Sequence, residues 1–317
     1  MSTIEQHQLG DSGLRLPRIA LGCGNFGGIG SAPEFFGQGL EAEQAGALMD
    51  AAWEMGITWF DTADAYGGGR SERMIGEWIR ARGARPSLTT KTFNPMDDDA
   101  DQGLAPERIV RQLATSLERL GVESVELYLA HDYDPAVPVG ETLGAFDELV
   151  GAGRIRAYGV SNFTAPQLSS ALCAGTPVAV QNAHSLLERG DEAELLPLCA
   201  RRQVAYLGFS PLGGGWLTGK YRRGQPFPAG SRMTQRPEPY AGLVAEATFA
   251  RLERLEAIAA ERGVSMAAVA LAWLLADDRV SQIVVGPGRP EQLEPVREAL
   301  EHPLSAAQRE HIGGLFS

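Results

Sequence analysis

The chain is short of cysteine, of basic charge and of long apolar runs, and each shortage excludes something. Its three cysteines, Cys23, Cys173 and Cys199, have no paired spacing. An odd, sparse count argues against a disulfide framework and for a reducing compartment. Lys and Arg number 28 against 40 Asp and Glu, a formal charge of −12 over 317 residues. Nucleic-acid binding needs a basic face, so no nucleic-acid partner is expected. The longest apolar stretch, 267–276, falls far short of the ~20 residues of a membrane helix. The opening Met1-Ser2-Thr3-Ile4-Glu5-Gln6-His7 has neither a basic n-region nor an apolar h-region, so no signal peptide is expected. These readings predict a cytoplasmic chain without a membrane partner. The five histidines show no ligand spacing, and neither H-E-x-x-H nor C-x-x-C occurs, so no metal site is expected. The longest run of like charge, Asp97-Asp98-Asp99, reads as a solvated loop.

What is present is regular alternation. Turn residues in Gln8-Leu9-Gly10-Asp11-Ser12-Gly13-Leu14-Arg15-Leu16 sit between short apolar runs and predict an N-terminal β-hairpin. Eight strand-like runs come after it, at 18–21, 57–60, 88–91, 127–131, 155–160, 178–182, 205–209 and 283–286. Helical periodicity fills the intervals, at 42–55, 72–82, 106–120, 142–152, 165–174, 193–202, 247–261, 265–276 and 290–300. Ser71, Ser265 and Pro290 stand at the expected helix starts. Strict alternation implies a parallel sheet, and eight repeats without a linker favour a single-domain (β/α)₈ TIM barrel over 1–317. The alternative topology is an open doubly wound sheet. Two stretches, 22–40 and 212–243, are too long for simple connections and read as functional loops at the barrel mouth.

Four polar residues fall at or just past strand ends: Asp61, Tyr66, Lys91 and His131. Lys91 lies 30 residues after Asp61, and His131 lies 40 after Lys91. A barrel of this type spends roughly 30 residues per strand–helix unit and does its chemistry at the C-terminal strand ends. Successive units therefore deliver a carboxylate, a phenol, an amine and an imidazole to one end. A phenol is a reluctant proton donor at neutral pH, and a neighbouring ammonium lowers its pKa. Asp61 supplies the counter-ion that Lys91 needs inside a barrel. Tyr66 is then a general acid, and His131 a donor that orients a carbonyl oxygen. Such a set suits protonation of oxygen while hydride reaches carbon. No amino acid delivers hydride, so a nicotinamide cofactor is implied. Taken alone, Asp61 reads first as a cap or loop residue, and His131 reads equally either way; the coincidence at one barrel end carries the functional reading.

Phe60-Asp61-Thr62-Ala63-Asp64-Ala65-Tyr66-Gly67, with Ser71-Glu72 just beyond, resembles the signature of the aldo-keto reductase family. Lys91 in Leu88-Thr89-Thr90-Lys91 and His131 after Leu127-Tyr128-Leu129-Ala130 match its other catalytic positions. The resemblance runs from the hairpin to Gln292. It implies that Ser161, Asn162 and Gln181 hold a nicotinamide carboxamide, whose two ends paired side-chain amides can bond. It implies that Phe209, where the family usually has Tyr, stacks on the nicotinamide. Ser210, Pro211, Leu212, Gly214 and Lys220 then belong to a loop covering the pyrophosphate, with Arg232 a further basic contact. Gly286, Gly288, Arg289 and Gln292 belong to the adenosine end, where a helix N-terminus is a natural phosphate site. Where the family often has a basic residue or Ser for the ribose 2′-phosphate, this chain has Gly288, with Arg289 one step on. Arg289 and Arg232 favour NADP, with NAD the alternative.

Gly22-Cys23-Gly24-Asn25-Phe26-Gly27 fits G-x-G-x-x-G after a strand, but it leads into a loop instead of a helix, so a dinucleotide fingerprint is rejected. His184 reads as a packing or loop residue, with the cofactor cleft as the alternative. The expected pocket rim is Phe26, Phe35, Phe36, Phe93, Tyr133 and Trp216, suiting aromatic or medium aliphatic carbonyls. The expected reaction is reduction of aldehydes or ketones, and an alcohol or sugar dehydrogenase is its reverse. Two rivals stand beside it: a nicotinamide-binding regulatory subunit without turnover, and a metal-dependent barrel hydrolase.

Overall fold

A computed structural model describes residues 4–96 and 101–316; the Asp97-Asp98-Asp99 run lies outside the described residues. The hairpin is present. Strand β1 (Gln6–Gln8) pairs antiparallel with β2 (Arg15–Pro17), His7 opposite Leu16. Ser12 closes the turn by donating its hydroxyl to the Leu9 carbonyl at 2.7 Å. The barrel consists of eight parallel strands: β3 (Ile19–Gly22), β4 (Trp59–Asp61), β5 (Ser87–Thr92), β6 (Val125–Ala130), β7 (Ile155–Ser161), β8 (Ala179–Ala183), β9 (Ala205–Phe209) and β10 (Val280–Val285). Each pairs with the next in sequence, and β10 closes onto β3. The (β/α)₈ expectation therefore stands, and the open sheet does not.

Helices α1 (Ala42–Glu54), α2 (Arg70–Arg82), α3 (Pro106–Leu120), α4 (Val139–Gly151), α5 (Ala165–Ala174) and α6 (Leu195–Arg202) alternate with the strands. After β9 come a short α7 (Arg232–Gln235), then α8 (Glu246–Arg262) and α9 (Met266–Leu275); α10 (Glu294–Glu301) and α11 (Ala306–Gly314) lie beyond β10. Periodicity does not reveal α7, which is a single turn, or α11, which is mostly exposed. The start of α2 also differs from expectation. Its N-cap is Gly69, at φ 81°, and Ser71 is buried, donating to the Cys23 carbonyl at 3.0 Å. Ser265 does cap α9, accepting from the Ala268 N–H. Pro290 opens a 3₁₀ turn, Pro290–Leu293, ahead of α10. Among the described residues no single helix is long and apolar enough to cross a membrane, and α8 meets α9 at a 91° bend.

The period of two in a strand sorts side chains between the barrel lumen and the helical shell. Trp59, Leu127, Leu129, Ala157, Ala179, Ala205 and Leu207 point inward and pack with Leu9 and Leu16 of the hairpin, which plugs the N-terminal end. The alternate set, including Phe60, Leu88, Tyr128, Val160, Val180 and Tyr206, joins the helices in the main core. Going up the same inward rows, Asp61 follows Trp59, Lys91 follows Thr89, Ser161 follows Gly159 and Gln181 follows Ala179. The lumen is thus apolar below and polar above.

One helix contact leaves no room for a methyl group. A Cβ on Gly76 of α2 would lie 2.2 Å from the Arg119 carbonyl oxygen at the end of α3. Overpacking of this kind costs ~1–3 kcal/mol. Gly76→Ala should lower unfolding free energy by about that amount in a denaturant titration; an unchanged midpoint would mean that the two helices separate freely.

Candidate active site

The centre of the polar layer is an ion pair. Lys91 is fully buried and donates from Nζ to Asp61 Oδ1 at 2.6 Å, to the Thr62 carbonyl at 2.8 Å and to the Tyr66 hydroxyl at 3.4 Å. Parallel pairing of β4 with β5 sets this, since Asp61 lies beside Thr89, one pleat below Lys91. The other carboxylate oxygen, Oδ2, accepts from Gln181 Nε2 at 2.7 Å across the lumen. Burial opposes the ammonium, but Asp61 and then Tyr66 outweigh it and leave the Lys91 pKa raised. The amine is therefore charged.

Tyr66 sits in the turn after β4, its ring beneath the ammonium at 5.0 Å from centroid to Nζ. The sequence reading expects Lys91 to lower the phenol's pKa, and here the balance differs. Burial raises it, Lys91 lowers it, Asp61 raises it again, and the net direction is upward. The ammonium is shared with a carboxylate at 2.6 Å, which leaves less of its field for a phenol at 3.4 Å. Tyr66 is thus held as a neutral hydroxyl.

His131 stands just past β6. Its backbone N–H donates to the Thr92 carbonyl at 2.9 Å, and its carbonyl accepts from Asn162 Nδ2 at 2.9 Å. The ring stands edge-on to Tyr66, centroids 5.5 Å apart. Burial first, and then Lys91, push its pKa well below the ordinary histidine value, so the imidazole is neutral.

Ser161, Asn162 and Gln181 come together beside this group. The Ser161 hydroxyl donates to the Gln181 carbonyl at 2.7 Å. Asn162 has φ 60° and does not cap the next helix; Thr164 does so in a capping box with Gln167. The amide donors of Asn162 and Gln181 are engaged with the His131 carbonyl and Asp61 respectively. Phe209 and Ser210 are partly exposed at the end of β9, Ser210 with φ 54°. Pro211 and Leu212 lead into a turn in which Gly213, Gly214 and Gly215 all have positive φ. A Cβ on Gly214 would lie 2.5 Å from the Tyr240 ring. Lys220 is exposed, its Nζ 5.1 Å from the Tyr221 ring centre.

Arg232 opens α7 near Tyr240 and Tyr221; burial lowers its pKa, and no carboxylate stands within ion-pair distance among the described residues. Beyond β10, Gly286 and Gly288 are exposed, and Gln292 Oε1 accepts from the Gly288 N–H at 2.7 Å. Arg289 is largely exposed and reaches Glu291 only at 3.8 Å.

Two expected rim residues are not at the rim. Phe26 is fully buried in the core. Trp216 is also fully buried, packed against Tyr221, Phe227 and Phe249, because the loop after β9 folds onto α8 and carries its own core. Phe35, Phe36, Phe93 and Tyr133 are partly exposed. His184 is a packing residue, buried between Tyr206 and Trp273 on the shell side of β8. Sequence reasoning misses Asn94, whose amide nitrogen lies 3.1 Å from His131 Nδ1, and Arg236, which donates to the Ile29 carbonyl at 3.0 Å and so ties one long mouth loop to the other. No spacing in the sequence points to Asn94, which lies two residues past the end of β5. Among the described residues no cluster of His, Cys, Asp or Glu is placed to hold a metal ion.

The chain matches the aldo/keto reductase family model over residues 18–315. It is 34% identical to an uncharacterized oxidoreductase, YrpG, of Bacillus subtilis, over 99% of this chain and 96% of that one. It is 32% identical to a probable voltage-gated potassium channel subunit beta of Oryza sativa, over 94% and 92%. Among solved structures, the glycerol dehydrogenase AKR11B4 of Gluconobacter oxydans superposes with a TM-score of 0.83 at 26% identity, covering 99% of this chain and 94% of that one. The chain belongs to the aldo-keto reductase family, oxidoreductases that act on carbonyl and alcohol substrates with nicotinamide cofactors.

Proposed function

We propose that this protein reduces aldehydes or ketones to alcohols, with Tyr66 as the general acid and NADPH as the preferred hydride source. The contact that carries the proposal is Lys91 between Asp61 and Tyr66: a buried ammonium, already neutralised, within 3.4 Å of a phenol at the barrel mouth. Ser161, Asn162 and Gln181 would hold the carboxamide through their remaining polar atoms, and Phe209 would face the nicotinamide. The glycine turn with Pro211, Leu212 and Gly214 lets backbone approach a pyrophosphate, near Ser210 and Lys220. The adenosine end falls to Gly286, Gly288, Arg289 and Gln292. The fit is supported by Arg232, a largely desolvated cation with no carboxylate counter-ion among the described residues, which suits a phosphate.

When bound, the reduced nicotinamide supplies the hydride that reaches the carbonyl carbon. Oxygen then carries the electron pair released from the C=O bond. His131, neutral and keeping one N–H, donates to that oxygen without adding charge to a site that already holds Lys91. Tyr66 gives up its proton to the oxygen, and Lys91 stabilises the phenolate left behind. A phenol whose pKa is raised at rest holds its proton until a much stronger base forms beside it. The partly exposed aromatics Phe35, Phe36, Phe93 and Tyr133 suit aromatic or medium aliphatic substrates. Likeness to a potassium channel subunit beta favours a second reading, cofactor-dependent regulation without turnover. Turnover of 4-nitrobenzaldehyde decides between them.

Tyr66→Phe should cut kcat by ~10²–10⁴-fold, the usual contribution of a general acid, with cofactor affinity unchanged in fluorescence titration. Retained turnover would remove Tyr66 from the mechanism. Lys91→Met strands a buried carboxylate and should cost about 3–5 kcal/mol of stability in denaturant unfolding; adding Asp61→Asn should restore most of it. A single variant as stable as the parent would show that the pair is solvated in solution. Arg289→Ala should weaken NADPH about tenfold or more while changing NADH little, as expected for loss of one charged hydrogen bond to a 2′-phosphate. Equal losses for both would place Arg289 away from that phosphate.

A further inference from the structure

We propose that Asn94 is a positioning residue that fixes the His131 tautomer, holding the imidazole proton on Nε2 so that this nitrogen is the donor to the substrate oxygen. The donor role rests on the carbonyl-reduction reading; the tautomer does not.

An amide nitrogen can act in one way only. Asn94 Nδ2 lies 3.1 Å from His131 Nδ1. An NH₂ group only donates, so Nδ1 must present its lone pair, and a neutral imidazole then carries its single proton on Nε2. The ring is neutral because it is buried beside a charged Lys91. The groups near it are Lys91 from β5 and the Tyr66 phenol from the turn after β4, while the Asn162 amide from the end of β7 donates to the His131 backbone carbonyl. The next residue, Asp132, accepts the Tyr133 N–H on its own Oδ1 at 2.8 Å. Within this set Asn94 is the side chain that meets a ring nitrogen at hydrogen-bonding distance.

Asn94 is itself held. Arg108 of α3 is 3% exposed and donates from Nη2 to the Asn94 carbonyl at 2.9 Å. It also donates from Nη1 to Thr92 Oγ1 at 2.8 Å and to the Gly103 carbonyl at 3.1 Å. The Thr92 carbonyl receives the His131 N–H. One buried guanidinium thus fixes the segment that supports both the backbone and the ring of His131. An imidazole free to choose would spend part of its time with Nδ1 protonated and Nε2 bare, a form that repels a carbonyl oxygen. Removing that form is what the Asn94 contact accomplishes. The isosteric alternative, the amide oxygen facing Nδ1, would select the unproductive tautomer, so the two arrangements make opposite predictions.

Long-range ¹H–¹⁵N correlation spectra of the histidine rings, with His131 assigned by its loss in His131→Gln, read the tautomer directly. The expected result is a neutral, Nε2-protonated ring from pH 6 to 8. In the isosteric Asn94→Asp variant, the carboxylate should raise the His131 pKa and turn the neutral ring to the Nδ1-protonated form. Turnover by that variant should then be present at low pH, where the imidazolium keeps its Nε2–H. It should fall as pH rises through the raised pKa, a limb absent from the parent profile. Asn94→Leu should lower kcat/KM roughly two- to tenfold with no new limb, as tautomer selection is lost. An Nδ1-protonated ring in the parent, or a tautomer indifferent to both substitutions, overturns the proposal. Spectra as expected from a protein that reduces no carbonyl would overturn the donor role and the reaction reading, and leave the tautomer assignment standing.

Discussion

The inside of a small barrel can hold a charge only if a counter-charge is built in beside it, and the Lys91–Asp61 pair is that construction. Taking either ion from water costs several kcal/mol, which the other recovers only with good geometry and further hydrogen bonds. Both conditions are met. Lys91 uses all three of its donors, on Asp61, Thr62 and Tyr66, and Asp61 has Gln181 on its second oxygen. The pair also acts on its neighbours. Tyr66 is placed where its hydroxyl meets the third ammonium proton, and His131 stays neutral because it is buried and, second, because it lies near the charged Lys91. Polar residues on β7 and β8 are engaged with members of the same group instead of facing solvent. The apolar layer below, closed by Leu9 and Leu16, keeps water from reaching the pair from the hairpin end.

The strands that carry these groups are braced from the shell side. Thr90 and Thr92 alternate with Lys91 along β5 and point outward. Thr90 donates to Glu72 Oε1 at 2.7 Å, and Thr92 donates to Asp64 Oδ2 at 2.7 Å. Glu72 pairs with Arg119 at 3.1 Å, and Arg108 reaches Thr92 from α3. Burial, and then the nearby Glu72 carboxylate, push the Asp64 pKa up to about 7. Asp64 and Glu72 belong to the same sequence signature as Asp61 and Tyr66, yet they touch the other face of the sheet. They hold β5 and the Tyr66 turn in place while taking no part in the lumen.

The barrel and its polar layer are legible in the sequence because both obey short-range rules. Strand periodicity assigns Asp61, Lys91 and Gln181 to the lumen, and spacing along the chain brings them to one end. The start of α2 is harder to read because Ser71 has the chemistry of an N-cap, while the fold places Gly69 there and uses the Ser71 hydroxyl to tether the loop at Cys23. Trp216 misleads for a related reason. A large aromatic in a glycine-rich loop looks like a lid, but apolar area that size is more stable buried, and Phe227 and Phe249 arrive from further along the chain to bury it. No local pattern announces such a satellite core. The balance on Tyr66 is also beyond the sequence, since the direction of its shift depends first on how deeply the phenol is buried and then on how Lys91 and Asp61 offset each other.

The loop after β9 carries its own core, and that constrains how the mouth can open. Trp216, Tyr221 and Phe227 are locked against α8, so the glycine turn is anchored on its far side. What remains adjustable is the near edge. There Tyr240 lies on Gly214, and Arg236 donates to the Ile29 carbonyl while standing over the Phe35 ring at 5.3 Å. Those contacts are few, and Arg236 and Tyr240 are only partly buried. Segments with few buried contacts are drawn from the low-stability end of a fold. The near edge of the mouth therefore rests on fewer buried contacts than the far side, where the Trp216 cluster is packed against α8.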